Sequence, residues 1–283
     1  MELIKKIVTI SRYRFWSYTA GPYLLGFLLG SPVLTQSIIS PNFITGLLYF
    51  LIPANVFIYG INDYFDRDTD KYNSKKGTKE FRLTTSENKF LLILLIVSFF
   101  LTSAYFLFIS NYIAKLTFLL FIFLSYFYSA KPFRFKSKPF IDSISNVLYI
   151  LPGITGYIQS AQSFPPVLPL IGFWCWAAAM HLFSAIPDIT SDKKANLKTT
   201  AVVLGANRSL LLCSILWLVF VFITIYFFRN SLLIGLLIYP ALPLLALLNS
   251  GIKTTQVYWY FPYINLVSGF LSFILILTTR GYA

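Results

Sequence analysis

The chain has 283 residues, of which 57% are hydrophobic and only 12% are charged, and its mean hydropathy is +0.71. Ordinary soluble domains carry roughly 25% charged residues, and a soluble fold of this length could not bury so much apolar surface. The composition therefore excludes a soluble globular protein and indicates an all-α, polytopic membrane protein.

Long uncharged runs define the predicted membrane spans. A helix that crosses the hydrocarbon needs about 20 mostly apolar residues. Breaks at Pro, Gly, Ser and Asn residues divide the uncharged runs into nine predicted spans: 15–33, 43–63, 90–109, 112–129, 141–159, 167–187, 209–228, 231–249 and 260–279. Because the first run lacks a small-residue cleavage signal, we interpret it as a retained first helix and not as a signal peptide.

The net charge of +13 is explained by membrane topology and not by nucleic-acid binding. If the N-terminus is cytoplasmic, only Lys115, Arg229 and Arg280 fall on the outer side, which leaves 20 of the 23 basic residues inside. The positive-inside rule thus predicts a cytoplasmic N-terminus in the inner membrane and, with nine spans, an external C-terminus. All ten acidic residues also fall on the cytoplasmic side, although acids contribute little to orientation.

We expect one integral-membrane domain over 1–283 with an internal repeat. Spans two and six both end in an acidic cluster followed by a basic loop, and the first aspartates of these clusters, Asp63 and Asp188, are 125 residues apart. This spacing suggests four-helix repeats over 1–130 and 131–253 plus a ninth helix, as in other membrane proteins built from repeats.

Four aspartates lie within eight residues where span two ends. Residues at i, i+3, i+4 and i+7 share a helix face, which puts Asp63, Asp66 and Asp70 on one face together with Asn62. Asn55, seven residues before Asn62, extends this polar stripe into the membrane half of the span. The side chains of this cluster are therefore predicted to lie on one face of the helix.

A second cluster, Asp188 and Asp192, has i, i+4 spacing at the end of span six, whereas Asp68 lies off the first shared face and is expected to be solvated. Like charges so close destabilise a helix by roughly a few tenths of a kcal/mol, so the two clusters favour a shared cation. Oxygen ligands without His or Cys suit Mg²⁺ before Ca²⁺, and Mg²⁺ commonly binds substrate phosphates as well. With lysines and arginines alongside, the sequence predicts a Mg-bound diphosphate at the membrane surface.

The pattern N-D-x-x-D-x-x-x-D at 62–70 and the pattern D-x-x-x-D at 188–192 resemble the two signatures of the UbiA-type intramembrane prenyltransferases. The resemblance covers essentially the whole chain, and that family has nine transmembrane helices with both motifs on the cytoplasmic side. Asn73 to Gly77 resembles the family's N-P-x-K-G loop, with Ser74 in place of the proline. The resemblance implies an enzyme that transfers a prenyl group from a prenyl diphosphate and releases diphosphate.

The resemblance also implies residue roles. Metal binding and catalysis, directly or through water, are assigned to the aspartates of both motifs: Asp63, Asp66, Asp70, Asp188 and Asp192. Candidates for substrate binding, including the diphosphate clamps, are Asn62, Tyr128, Lys131, Arg134, Lys136 and Lys198. Further candidates are His181, Arg12 and Asn55. Lys131 stands where many relatives have a proline or another small residue, which leaves open the basic residue that grips the diphosphate.

Two single residues have competing interpretations. His181, the only histidine, lies seven residues before Asp188 and hence on the same helix face. It is either a general base in catalysis or a buried polar residue that bonds a neighbouring membrane helix. Asp142 opens span five after the basic loop and is either a helix N-cap or a partner of the lysines in that loop. We favour the cap.

A finer resemblance predicts the acceptor. The stretches 11–22 and 181–188 look closest to the lycopene elongase branch, which implies a carotenoid acceptor such as lycopene. The alternative within the family is an aromatic acceptor of the 4-hydroxybenzoate or naphthoate type. The alternative of another class, a cation- or proton-coupled transporter, predicts acids deep in the helices. The expected partners are prenyl diphosphate, a lipophilic acceptor and membrane lipid, with no nucleic acid and no obligatory protein partner.

Overall fold

The structure is a computed structural model that describes residues 2–73, 75–77, 80–249 and 251–280. These residues are largely helical, which confirms the all-α prediction. Apart from one isolated bridge between Lys76 and Glu80, the described part of the chain contains no β structure.

The chain divides into two compact units. Unit 1 comprises Met1–Phe133, Leu151–Pro165 and Ile264–Ala283, and unit 2 comprises Arg134–Ile150 and Pro166–Tyr263. The first boundary lies close to the repeat boundary predicted after residue 130, but unit 1 also takes in two later segments. The four-helix repeat therefore stays a prediction.

Unit 1 contains most of the N-terminal half of the chain. Its helices are α1 Glu2–Ile10, α2 Ser17–Gly30, α3 Leu34–Ser37, α4 Pro41–Leu51, α5 Pro53–Asp70, α6 Asn88–Phe108, α7 Tyr112–Phe127, α9 Leu151–Ala161 and most of α15 Phe261–Arg280. The helices of unit 2 are α8 Ile141–Ile144, α10 Val167–Ala185, α11 Ile189–Lys194, α12 Thr200–Phe228, α13 Ile238–Leu248 and α14 Thr254–Tyr258.

Six segments of the described chain are long and apolar enough to cross a membrane: Pro41–Asp70, Thr85–Phe108, Val167–Lys194, Thr200–Phe228, Ser231–Leu248 and Thr254–Thr279. The other three predicted spans contain shorter helices, since α2, α7 and α9 have 14, 16 and 11 residues. At 1.5 Å per residue these helices extend roughly 17–24 Å, less than the ~30 Å of the hydrocarbon. The structure thus supports six spans, while the count of nine and the orientation stay predictions.

Helices α2 and α9 of unit 1 cross with their backbones in contact. A Cβ atom added to Gly26 would lie 2.0 Å from the carbonyl oxygen of Gly153, and one added to Gly30 would lie 2.7 Å from that of Tyr157. Gly26 and Gly30 form a G-x-x-x-G pattern, which in membranes lets helices approach closely. This crossing fixes α2, whose first turn follows the segment that carries Arg12.

The loop between α5 and α6 is anchored by apolar packing. Phe81 in this loop is buried in a cluster with Ile10 of α1 and Leu91 of α6. Gly77 has a φ of +81°, a conformation that costs glycine little and strains other residues. The anchored loop brings Lys76 and Glu80 back towards the end of α5.

In unit 2, the helix that carries the second acidic motif is interrupted. Pro187 lacks a backbone donor and cannot continue α10, so α10 ends at Ala185 and a 3₁₀ turn, Ile186–Asp188, leads into α11. Helix α12 has a break at Gly205, where φ is +74°. Asp188 and Asp192, which the sequence predicted on one continuous helix, therefore lie on a 3₁₀ turn and on the short helix α11.

Replacing Gly26 with alanine tests the α2–α9 crossing. The added methyl group has no room beside Gly153, so we expect a loss of about 1–3 kcal/mol in the free energy of unfolding. The matched control is Gly21→Ala in the same helix, because a Cβ at Gly21 meets nothing within 4 Å. Thermal unfolding in one detergent would measure both, and equal midpoints for the two variants would contradict the close crossing.

Candidate active site

The first acidic cluster lies at the C-terminal end of α5, in unit 1. Asp63, Asp66 and Asp70 are buried, with 0%, 1% and 8% of their surface exposed, whereas Asp68 is exposed. This division follows the helical spacing, since the three buried aspartates occupy one face and Asp68 points away from it. Carboxylates in such surroundings require compensating charges or hydrogen-bond donors.

Arg12 supplies one of these charges. Its Nη2 atom donates to Asp63 Oδ1 at 3.0 Å and to Asn62 Oδ1 at 3.1 Å, and its Nη1 atom lies 3.3 Å from Glu80 Oε2. The guanidinium also lies over the ring of Tyr59, 4.5 Å from its centroid, in a cation–π contact. Arg12 therefore joins the N-terminal turn, α5 and the following loop.

Lys76 supplies the second charge. Its Nζ atom donates to Asp63 Oδ1 and lies 2.9 Å from Asp70 Oδ2, and the residue is only 4% exposed. The roles of Lys76 and Glu80 were missed in the sequence, although the resemblance at Asn73 to Gly77 marked the right loop. Ser74, the departure noted in that loop, lies outside the described residues.

Asn62 orients the second carboxylate of the cluster. Its Nδ2 atom donates to Asp66 Oδ2 and, at 3.0 Å, to Ser129 Oγ after α7. Ser129 Oγ in turn donates to Asp66 Oδ2 at 3.4 Å. The side chain of Asn62 thus connects the Arg12 guanidinium to the Asp66 carboxylate.

Glu80 is an anion held among cations. Burial opposes its ionisation, but the positive charges of Arg12, Lys76 and Lys75 outweigh burial and hold the pKa of the carboxyl below its ordinary value. Glu80 is therefore an anionic partner for Arg12, which helps to keep that guanidinium in place.

The donor set of unit 1 fits a hard cation that is shared with a ligand. Among the residues that the structure describes, no three His, Cys, Asp or Glu side chains are arranged to hold a metal ion by themselves. Asp63 Oδ2, however, is buried and has no hydrogen-bond partner within the described residues. Mg²⁺ commonly takes one or two carboxylates and completes its shell with water and substrate phosphates. The carboxylates fit that kind of site and not an all-protein metal cage.

The second acidic motif lies in unit 2. Asp188 ends the 3₁₀ turn and Asp192 lies in α11, and both are partly exposed. Asp192 Oδ2 accepts a hydrogen bond from Thr199 Oγ1 at 3.3 Å, and its carbonyl oxygen accepts from the Leu197 nitrogen at 2.9 Å. Asp192 is therefore tied to the segment that leads into α12.

The predicted diphosphate clamps are divided between the units. Tyr128, which follows α7, and the exposed Lys131 belong to unit 1. Arg134, Lys136 and the exposed Lys198 belong to unit 2, together with Asp188 and Asp192. Each acidic motif thus has candidate clamps in its own unit.

Asn55 lies deeper in α5 and is fully buried. Its Nδ2 atom lies within 2.8–3.0 Å of Thr19 Oγ1 and the carbonyl oxygens of Phe50 and Leu51. These contacts bind the kink between α4 and α5 to α2, which is a packing role.

The structure corrects the interpretation of Asp142. The residue is fully buried and lies inside the first turn of α8, whose N-cap residue is Phe140, and its side chain instead bonds the first residue of α12. Asp142 Oδ2 accepts from the Thr200 nitrogen at 2.7 Å, and Asp142 Oδ1 accepts from the Ser143 nitrogen at 2.7 Å and from Thr200 Oγ1. His181 Nε2 lies 3.9 Å from Asp142 Oδ2, so His181 faces this carboxylate.

Comparison with known proteins gives a consistent family assignment. Residues 19–259 match the sequence pattern of the UbiA prenyltransferase family. The lycopene elongase/hydratase of Haloarcula japonica is 38% identical over 270 residues, which cover 94% of this chain and 89% of the relative. The lycopene elongase/hydratase of Haloferax volcanii is 37% identical over 271 residues, which cover 94% and 86% of the two chains.

The fold is also similar to a solved structure. That structure is a UbiA homolog from Archaeoglobus fulgidus bound to DMAPP and Mg²⁺, with a TM-score of 0.72 and 24% sequence identity. The match covers 96% of this chain and 99% of the solved one. At this level of identity the similarity establishes a shared fold.

Removing Arg12 tests the charge network of unit 1. We expect Arg12→Ala to lower the free energy of unfolding by about 3 kcal/mol, at the low end for a broken buried ion pair, because Lys76 still compensates Asp63. The control is Arg67→Ala, an exposed arginine in the last turn of α5, which should change stability by less than about 0.5 kcal/mol. Thermal unfolding in detergent measures both, and equal stability of the two variants would refute the network.

Proposed function

The chain belongs to the UbiA family of prenyltransferases, and on that premise we propose that it transfers a prenyl group from a prenyl diphosphate to a carotenoid acceptor such as lycopene. We propose Mg²⁺ as its cofactor and the cytoplasmic face of the inner membrane as the location of its active site. The N-terminus is then cytoplasmic, as the distribution of basic residues predicts.

One observation carries the proposal for the site. The end of α5 combines three buried carboxylates on one face with the cationic groups of Arg12 and Lys76. Carboxylates bind a divalent cation, and cationic side chains bind phosphate oxygens, so this surface offers both halves of what a Mg–diphosphate requires. The position at the end of a membrane-spanning helix leaves the apolar chain of the same substrate within the membrane.

The aspartates are proposed as metal ligands, directly or through water. Asp63, Asp66 and Asp70 would hold the cation in unit 1, and Asp188 and Asp192 are assigned the same role on the basis of their motif. When bound, Mg²⁺ would neutralise the negative charge that develops on the departing diphosphate. Asn62 keeps Asp66 in a fixed orientation through its amide.

The basic residues are proposed to hold the diphosphate while the prenyl–oxygen bond breaks. The bonding electron pair leaves with the diphosphate oxygen, and an allylic carbocation remains on the prenyl group. Lys131, Arg134, Lys136 and Lys198 are the candidate clamps, and Tyr128 would donate a hydrogen bond to a phosphate oxygen. An electron-rich double bond of the acceptor then attacks the cation and forms the new carbon–carbon bond. The acceptor cation that results loses a proton to water or to the released diphosphate, which gives the neutral product.

The carotenoid acceptor is supported by the names of the two relatives above, both called lycopene elongase/hydratase. Each aligns with 94% of this chain, including both acidic motifs. The aromatic-acceptor alternative shares those motifs, so the motifs support prenyl transfer and only the overall similarity supports the acceptor.

Asp66→Asn tests the metal-binding role. The substitution keeps the shape of the side chain but removes its negative charge, so we expect prenyl transfer to fall by about 10²- to 10³-fold. Asp68→Asn is the matched control, since Asp68 is exposed and off the shared face, and it should keep near wild-type activity. The assay follows labelled prenyl diphosphate into product with excess Mg²⁺ and again with EDTA, which should abolish transfer. Full activity of the Asp66 variant would refute the assignment.

The acceptor is tested by direct competition. Membranes that contain the protein are incubated with labelled dimethylallyl diphosphate, Mg²⁺ and either lycopene or 4-hydroxybenzoate. We expect label in the carotenoid fraction, and the Asp66→Asn variant shows the background. Label only on the aromatic acid would reject the carotenoid acceptor and leave the prenyltransferase assignment standing.

A further inference from the structure

Asp142 is an extensively hydrogen-bonded carboxylate of unit 2, yet it belongs to neither acidic motif. It is 0% exposed and receives hydrogen bonds from the Ser143 nitrogen, the Thr200 nitrogen and Thr200 Oγ1. The Thr200 nitrogen is the first donor of α12, so the carboxylate also faces the positive end of that helix. A buried carboxylate with this many donors is fixed in one position.

The contacts of Asp142 connect two basic segments. On one side is Arg134–Lys138, which ends four residues before Asp142, and the Asp142 nitrogen bonds the Lys138 carbonyl oxygen at 2.9 Å. On the other side is Lys198, two residues before Thr200. Thr200 Oγ1 closes the connection, because it accepts from the Phe140 nitrogen at 2.6 Å while it donates to Asp142.

The backbone between these contacts is strained. Arg134 has a φ of +43° and Phe140 a φ of +66°, a region that non-glycine residues rarely adopt and that is unfavourable for a bulky side chain. Such conformations persist only where the surrounding structure fixes them. At Phe140, the bond from its nitrogen to Thr200, held in turn by Asp142, provides that restraint.

The same connection reaches the second acidic motif. Thr199, adjacent to Thr200, donates from Oγ1 to Asp192 Oδ2 at 3.3 Å. We propose that Asp142 is a positioning residue for the diphosphate: its buried carboxylate holds Arg134–Lys138 and Lys198 in fixed register with Asp192, and it does not touch the substrate. The inference rests on the proposed function, because the ligand that these groups hold is the diphosphate.

A competing role for Asp142 would act through His181. The carboxylate lies 3.9 Å from His181 Nε2, so it would orient the imidazole as a general base. The two roles differ kinetically. A positioning role changes the affinity for the diphosphate, whereas a role through His181 changes kcat and its dependence on pH.

The test uses Asp142→Asn and Thr200→Val. The first replaces an acceptor oxygen with an amide group that cannot accept, and the second deletes the hydroxyl at nearly constant volume. We expect both to raise KM for prenyl diphosphate and the Kd for inorganic pyrophosphate with Mg²⁺ by about 10- to 100-fold, with kcat changed by less than about threefold. The KM for the acceptor should stay unchanged.

Two controls separate positioning from general damage. Thr200→Ser keeps the hydroxyl and should restore the affinity for pyrophosphate to within about twofold of wild type. Ser143→Ala is the local control, because Ser143 is buried next to Asp142 and its hydroxyl makes no hydrogen bond among the described residues. If Asp142→Asn does not fold, the pair Thr200→Val and Thr200→Ser decides the question.

The outcomes distinguish the inference from the proposed function. Wild-type affinity for pyrophosphate in Asp142→Asn or Thr200→Val overturns the inference alone. A fall in kcat at constant KM, reproduced by His181→Gln with a changed pH profile, also overturns it in favour of the His181 role. A wild-type protein that binds pyrophosphate but transfers no prenyl group overturns the proposed reaction alone, and one that binds no pyrophosphate overturns both.

Discussion

Unit 1 depends on the compensation of buried negative charge. Asp63 and Asp66 are almost completely withdrawn from solvent at the end of a membrane-spanning helix, and a buried carboxylate costs several kcal/mol unless it is paired and hydrogen-bonded. Arg12, Lys76 and Asn62 provide the pairing. The segments that carry these side chains must therefore reach the end of α5, and this requirement explains much of the surrounding backbone.

The N-terminal turn satisfies that requirement at a conformational cost, whereas the loop after α5 satisfies it with a glycine at the position that needs a positive φ. Arg12 adopts a φ of +50°, uncommon for a non-glycine residue, and Gly77 adopts a φ of +81°. Apolar packing offsets the cost, since Phe81 holds the loop against Ile10 and Leu91. Glu80 then stabilises Arg12 from the other side. An arrangement of alternating charges results, in which Asp63, Asp70 and Glu80 each contact Arg12, Lys76 or both.

Unit 2 uses one buried carboxylate in a different way. Asp142 takes its donors from the start of α12 and from its own helix, so its charge is compensated by backbone nitrogens and a hydroxyl. Backbone donors are rigid, and a carboxylate held by them fixes the segments that supply them. Asp192 is partly exposed, and its side chain accepts from Thr199 while its main-chain oxygen accepts from the Leu197 nitrogen.

The sequence alone determined the helical class, the membrane character and both acidic motifs, because hydropathy and helical periodicity are local properties. It also separated Asp68 from Asp63, Asp66 and Asp70, since that division depends only on helical spacing. The partners of those aspartates were decided by tertiary structure: Lys76 and Glu80 reach α5 through a loop whose path no periodicity encodes. For Asp142 the sequence predicted a cap of its own helix. Its contact with Thr200 joins residues 58 apart, and local spacing does not encode such a contact. Pro187 interrupts the helix on which Asp188 and Asp192 had been given one face, and only the folded backbone places them on a 3₁₀ turn and a separate short helix.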